Sequence, residues 1–221
     1  IGPDNVTYKY FIEEAGCPTV FPFTAGSGSY TVMAFQNISG DQYASLFSQV
    51  IDVELKNDFL PFLYPNQYVD FTADSQAVAL AARLTDGLTS DVDALTAIYE
   101  YVTANITYDN EKAATVSGNY LPDIDETLST GKGICFDYAS LTAAMLRSVG
   151  IPAKLAIGYT ASVRHAWIDV YIQSVGWVER AVEFNGDEWK LMDPTFAAAE
   201  TDQELQEYIG DGDNYITEYV R

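Results

Sequence analysis

Histidine is almost missing from this sequence: the 221 residues hold one, His165. Any chemistry that needs an imidazole must use that residue. Cysteine is scarce too, with only Cys17 and Cys135. A structural zinc site usually takes four Cys or His ligands, so such a site is not expected. Two cysteines cannot build a disulfide framework either, although a single Cys17–Cys135 bridge stays open. The third shortage is positive charge. Eleven Lys and Arg face 32 Asp and Glu, a formal net charge of −21. That charge repels phosphate backbones, and no Lys/Arg cluster overrides it, so nucleic acid is excluded as a partner. Long apolar runs are lacking as well. The longest, Ala77 to Ala82, is far below the roughly 20 residues of a membrane-spanning helix.

What remains is an ordinary globular composition, 48% apolar, in a chain long enough to bury a real core. The sequence opens on Ile1 with no charged and apolar leader after it, so a removed signal peptide or a trimmed terminus is expected. The acidic, lysine-poor, tyrosine-rich composition points to work outside the cell or at its surface.

The pattern along the chain divides it at about residue 72. Residues 1–72 form a small β-rich region: Val6, Tyr8, Tyr10 and Ile12 alternate, as do residues 30–35 and 50–55, with turns at Gly26-Ser27-Gly28 and Ser39-Gly40-Asp41. Residues 73–221 begin with helices. Ser75 to Leu84 is one. The second starts at Ser90 and Asp93 and carries the stripe Val92, Leu95, Ile98, Tyr99, Val102 and Ile106. A loop through Tyr108, Asp109 and Tyr120 leads to Gly131-Lys132-Gly133. The third helix runs from Cys135 to Val149, closed by Gly150 and Pro152. Strands follow at 154–159 and 164–172, then a turn at Asn185-Gly186 before a strand at 189–192. A short helix at 202–208, a turn at 210–214 and a strand at 215–220 complete the pattern.

Three residues carry chemistry in these places. Cys135 opens a helix after a Gly-Lys-Gly turn, where unpaired N–H groups and the helix dipole favour a thiolate and can hold an oxyanion. The helix behind it, with Ala139, Leu141, Ala143, Ala144, Met145 and Leu146, is small and apolar enough to be buried. His165 opens a strand with Trp167, Asp169 and Tyr171 on its own face, expected to look toward a cleft or solvent, while Ala166, Ile168, Val170 and Ile172 face the core. Asp193, just before Pro194, is placed to accept the second imidazole N–H and orient the ring.

The blocks Gly133-Ile134-Cys135-Phe136-Asp137-Tyr138-Ala139, Arg147 to Ala153, Gly158-Tyr159, His165-Ala166-Trp167 and Trp189 to Thr195 together resemble the transglutaminase-like superfamily, over about residues 90–196. The order Cys, His, Asp matches, with spacings of 30 and 28 residues. The resemblance implies an α+β fold with the nucleophile helix packed on an antiparallel sheet. It implies acyl transfer or hydrolysis at amide or peptide carbonyls through a thioester on Cys135, with His165 as base and Asp193 as its orienting residue. Within that frame Tyr120 and Tyr108 are candidate oxyanion donors, Trp167 and Trp189 candidate cleft walls, and Asp137 and Tyr138 anchors of the helix start. The expected partner is a protein or peptide substrate, cell-wall peptide included.

Other features read as structural. Cys17, between Gly16 and Pro18, has no acid or base motif around it. The pairs Asp91/Asp93 and Asp211/Asp213 do not fit a calcium-loop spacing, and the sequence calls for no metal and no cofactor. A second class of function stays in view: a catalytically silent cell-surface binding or adhesion module on the same fold, using the tyrosine-rich β region.

Overall fold

The computed structural model describes residues 1–12, 16–160, 163–174, 176–179, 182–184, 189–191 and 215–221. The chain divides into two compact units, Ile1–Pro61 and Phe62–Arg221.

The first unit is built on one hairpin. Strands β1 (Gly28–Ser39) and β2 (Gln42–Val53) pair antiparallel, with register shifts at Ala34/Phe35 and Asn37/Ser39. Gly40 makes the turn at φ 53°, and Asn37 Nδ2 donates to its carbonyl at 2.6 Å. The left-handed backbone there is one glycine adopts without Cβ strain. The chain start lies along β1, with Ile1 and Thr31 exchanging N–H···O bonds at 2.8 and 3.0 Å. Both strands outrun the expected alternating stretches. Residues 6–12, by contrast, are not a strand. Their entry is taken by a local turn, in which Gly2 N donates to the Val6 carbonyl and Val6 N to Asp4 Oδ1. Alternation makes a strand only where a neighbour supplies the ladder.

The second unit is α+β, as expected. Helices α1 (Gln76–Leu84), α2 (Asp91–Asn105), α3 (Asn110–Thr115), α4 (Ile124–Thr130) and α5 (Cys135–Ser148) precede the main sheet. Short parallel strands β3 (Thr107–Tyr108) and β4 (Lys132–Gly133) lie between them. The sheet is antiparallel throughout and ordered β10-β5-β6-β7, from β5 (Ala153–Thr160), β6 (Val163–Ile172), β7 (Gly176–Val178) and β10 (Tyr215–Val220). A separate antiparallel pair joins β8 (Val182–Phe184) to β9 (Trp189–Leu191).

Helix α5 is the centre. It packs on β5 and β6 and against α1, α2 and α4, and every residue from Asp137 to Arg147 is buried. Its small residues allow this enclosure. Its C-terminus closes in a Schellman motif, with Gly150 at φ 86° donating to Arg147 O and Ile151 to Leu146 O. Arg147 reaches three carbonyls, of Ala153, Tyr64 and Arg221, at 2.8–2.9 Å. That ties helix, sheet and chain end together.

The caps explain the helices that periodicity missed. Asp109 caps α3 through Lys112 N, and Asp123 caps α4 through Asp125 N and Glu126 N, with Gly131 closing α4 at φ 63°. At six and seven residues these helices are too short to show a 3.6-residue stripe. Ser90 caps α2 as expected. Helix α1 is capped from outside: Gln76 N and Ala77 N donate to the two oxygens of Asp125, on α4, at 3.0 and 3.1 Å.

Candidate active site

Cys135 is the first residue of α5 and half-buried. Both it and Cys17 are free thiols, so the Cys17–Cys135 bridge left open by the sequence is not formed.

The start of α5 is fixed by Asp137, at the third helical position and fully buried. Asp137 Oδ2 accepts the N–H of Ile134 at 2.8 Å. Ile134 has no side-chain acceptor to return, so only the acidic half of a capping box is made. Lys112 Nζ lies 2.9 Å from the same Oδ2, and the Tyr120 hydroxyl donates to Oδ1 at 2.5 Å. The Lys112 ammonium also sits 4.5 Å above the Tyr120 ring. The close fit requires glycine at 133, because a Cβ there would come within 2.7 Å of the Asp137 Cβ.

These contacts leave their mark on the titrating groups. Burial, reinforced by the Asp137 hydrogen bond, pushes the Tyr120 phenol up to about 12. Burial pulls the Lys112 ammonium down, but its bonds to Tyr120 and Asp137 outweigh that and the net shift is upward. Tyr138, expected to anchor the helix start, donates its hydroxyl to the Ile106 carbonyl, and burial raises its phenol. On the other flank of Cys135, the Phe136 ring packs 6.2 Å from Tyr68 and edge-on at 6.4 Å to Tyr120. Backbone and side chains thus hold both neighbours of the sulfur-bearing residue.

His165 lies on β6, one of the strands under α5, paired across to Gly158. Its ring stacks on Trp167 with centroids 6.4 Å apart and planes at 24°. This face of β6, expected to look toward a cleft or solvent, does not look to open solvent. His165, Trp167 and Asp169 are 6%, 1% and 8% exposed, and Tyr171 at the end of the same face is half-buried. The reason is lateral packing. Gly158 leaves the space Trp167 fills (a Cβ would be 2.9 Å from Trp167 Cη2), and Lys154 pairs with Asp169 across the strands. Lys154 is itself held 3.9 Å above the Trp177 ring, its ammonium lowered by burial against the pull of Asp169 and Glu179.

Of the remaining candidates, Tyr108 is the last residue of β3, half-buried, where β3 runs parallel to the Lys132-Gly133 strand that leads into Cys135. The single hydroxyl proton of Tyr120 is given to Asp137. Trp189 opens β9. Asp193, the turn at 185–186, the helix at 202–208 and the turn at 210–214 lie outside the described residues. Sequence reasoning missed Lys112 altogether. Its signal was the Asp109 cap before it, which starts a helix and brings position 112 toward the Gly131–Gly133 turn.

Among the described residues, no group of three or more His, Cys, Asp or Glu side chains is placed to hold a metal. Among them, too, no helix is long and apolar enough to cross a membrane.

The Transglutaminase-like superfamily model matches residues 78–180, a span that takes in both Cys135 and His165. Protein YebA of Bacillus subtilis (strain 168), itself called uncharacterized, is 23% identical over 181 residues, 72% of this chain and 24% of its own length. The chain therefore spans about a quarter of that relative. A solved structure of a candidate cysteine protease from Cytophaga hutchinsonii is similar with a TM-score of 0.49 at 17% identity, over 88% of this chain and 69% of that one. The periplasmic domain of TgpA from Pseudomonas aeruginosa is similar with a TM-score of 0.45 at 20% identity, over 63% of this chain and 50% of that one. The matched span from 78 to 180, a little under half of the chain, takes in the cysteine-led helix α5 and the strands β5, β6 and β7 of the sheet it packs on.

Proposed function

We propose that the protein is a cysteine enzyme that cleaves or exchanges amide and peptide bonds through a thioester on Cys135. The observation that carries this reading is a half-buried thiol at the first position of a helix buried from Asp137 to Arg147, with both its neighbours pinned. In the proposed reaction His165 takes the Cys135 proton and Sγ attacks the carbonyl carbon. The oxyanion is held by the Cys135 N–H, with Tyr108 as the candidate second donor. Collapse expels the amine, protonated by His165, and leaves the thioester. Water or a second amine, giving its proton to His165, then attacks the thioester and releases Sγ. Asp193 orients the imidazole through its other nitrogen.

The substrate class is a protein or peptide, and cell-wall peptide suits a site of work outside the cell or at its surface. The acidic, lysine-poor composition supports that location. A second reading, a surface binding module without turnover, draws on the exposed uncharged stretch of the β1–β2 hairpin.

Cys17 gives the test its internal standard, being an exposed free thiol of the same chain. With iodoacetamide at pH 6, Cys135 is expected to alkylate about tenfold faster than Cys17 in the folded protein. Cys135→Ala is expected to abolish turnover on an amide and peptide library. Equal alkylation of the two thiols, with no wild-type turnover on any substrate, favours the binding module instead.

A further inference from the structure

A carboxylate buried beside a reacting thiol is a liability. It is costly to desolvate unless paired, and its field opposes the negative charge that a nucleophilic sulfur must develop. Asp137 is such a group: 0% exposed and two residues from Cys135. The chain gives it three donors, the Ile134 N–H, the Tyr120 hydroxyl and the Lys112 ammonium. The first is local to the helix start. The other two come from the segment between α2 and α4, which sequence patterning reads as a loop.

That segment is anchored. Asp109 N donates to the Gly133 carbonyl at 2.9 Å, and the Asp109 side chain caps α3 by accepting Lys112 N at 2.8 Å. Position 112 is thereby tied to the turn that leads into Cys135. Tyr120 joins both sides, its hydroxyl on Asp137 and its ring against Phe136 and under Lys112.

We propose that Lys112 and Tyr120 are positioning residues for Cys135, acting through Asp137. Lys112 cancels the carboxylate's charge, so that the dipole at the start of α5 acts on the sulfur unopposed. Tyr120 saturates the second oxygen and wedges Phe136, holding the Cys135 N–H in its direction. Neither residue touches substrate. The inference rests on the reading of Cys135 as the nucleophile.

The test is the rate of iodoacetamide alkylation of Cys135 at pH 7 in the full chain, with Cys17 in the same sample as reference. Lys112→Met is expected to slow Cys135 about threefold to tenfold, the effect of a nearby uncompensated charge. Lys112→Arg, which keeps the charge and can still reach a carboxylate, is expected to stay within about twofold of wild type. The decisive variant is Lys112→Met combined with Asp137→Asn. With both charges gone, most of the lost rate returns, whereas a merely structural role makes the double variant at least as slow as the single one. A Lys112→Met rate equal to wild type overturns the proposal, and so does a double variant no faster than Lys112→Met. Should circular dichroism show Lys112→Met unfolded, Tyr120→Phe carries the test, with a slowing of about twofold to threefold expected and an unchanged rate overturning it. The Cys135-to-Cys17 ratio in wild type judges the enzymatic reading, while the variant-to-wild-type ratio judges this one, so the two fail separately.

Discussion

Two hairpins of this chain are built from similar-looking sequence and end in opposite surroundings. In β1–β2, two strands of twelve residues each, only Tyr30 is buried, and Val32, Phe35, Ile38, Tyr43, Leu46, Phe47 and Val50 are exposed. In β5–β6, Leu155 to Gly158 and His165 to Val170 are buried on both faces. Charge runs the wrong way for a simple inside–outside rule. The exposed strands carry one charged residue, Asp52, whereas the enclosed pair holds Lys154, Arg164 and Asp169. Hydrophobicity says what a strand can tolerate. What lies over it is decided by the neighbouring layers, and β5–β6 has α5 packed on it.

The comparison is sharpest where most of a side chain is deleted from a full interior. Ile168 is 0% exposed on β6, so Ile168→Ala is expected to cost about 2–5 kcal/mol in urea unfolding, through lost burial and the cavity left behind. A loss under about 1 kcal/mol would mean that the sheet relaxes around the cavity and is less tightly enclosed than its burial indicates.

Glycines test the same contrast from the side of added volume. A Cβ at Gly158 would lie 1.9 Å from the Ile216 carbonyl oxygen and 2.9 Å from Trp167 Cη2. Gly158→Ala must therefore push β10 or Trp167 aside, at about 1–3 kcal/mol, and amide exchange should quicken across the β5–β10 ladder. Gly40, at the tip of the exposed hairpin, has nothing within 4 Å of its added Cβ and a φ of 53°. Gly40→Ala is expected to cost about 1 kcal/mol through backbone strain alone, with exchange altered only near the turn. Equal costs with equal spread would erase the distinction between crowding and conformation.

Sequence patterning served unequally across this molecule, for physical reasons. Helix α5 was legible because everything about it is local: glycines before Cys135, a run of small apolar residues, Gly150 and Pro152 after it. The likeness to the transglutaminase-like model was legible through ordered blocks around Cys135 and His165, both of which lie inside the matched span. The strand expected at residues 6–12 failed because alternation is silent about partners. Helices α3 and α4 escaped because six and seven residues show a cap but no stripe. The burial of Trp167 could not be read from β6 alone, since its ring fills the space left by a glycine one strand away, at 158. Lys112 escaped for a like reason: the ion pair with Asp137 spans 25 positions and rests on a pairing of β3 with β4 only two residues long.

The smallest expected effect belongs to the exposed hairpin. Phe35 is 52% exposed and Phe47 53% exposed, so truncating either removes little buried area. Phe35→Ser and Phe47→Ser should each stay within about 0.5 kcal/mol of wild type in urea unfolding, as surface changes usually do. Cross-strand partners set the remainder. Phe35 faces Ser45 and Phe47 faces Ala34, neither of which offers an aromatic contact to lose. A cost above about 1.5 kcal/mol at Phe47 would require the ring to be covered in solution, because an exposed side chain has no comparable area to lose. Repeating the measurement across a wide range of protein concentration then separates cover by a second copy, which makes the cost concentration-dependent, from cover within the chain, which does not.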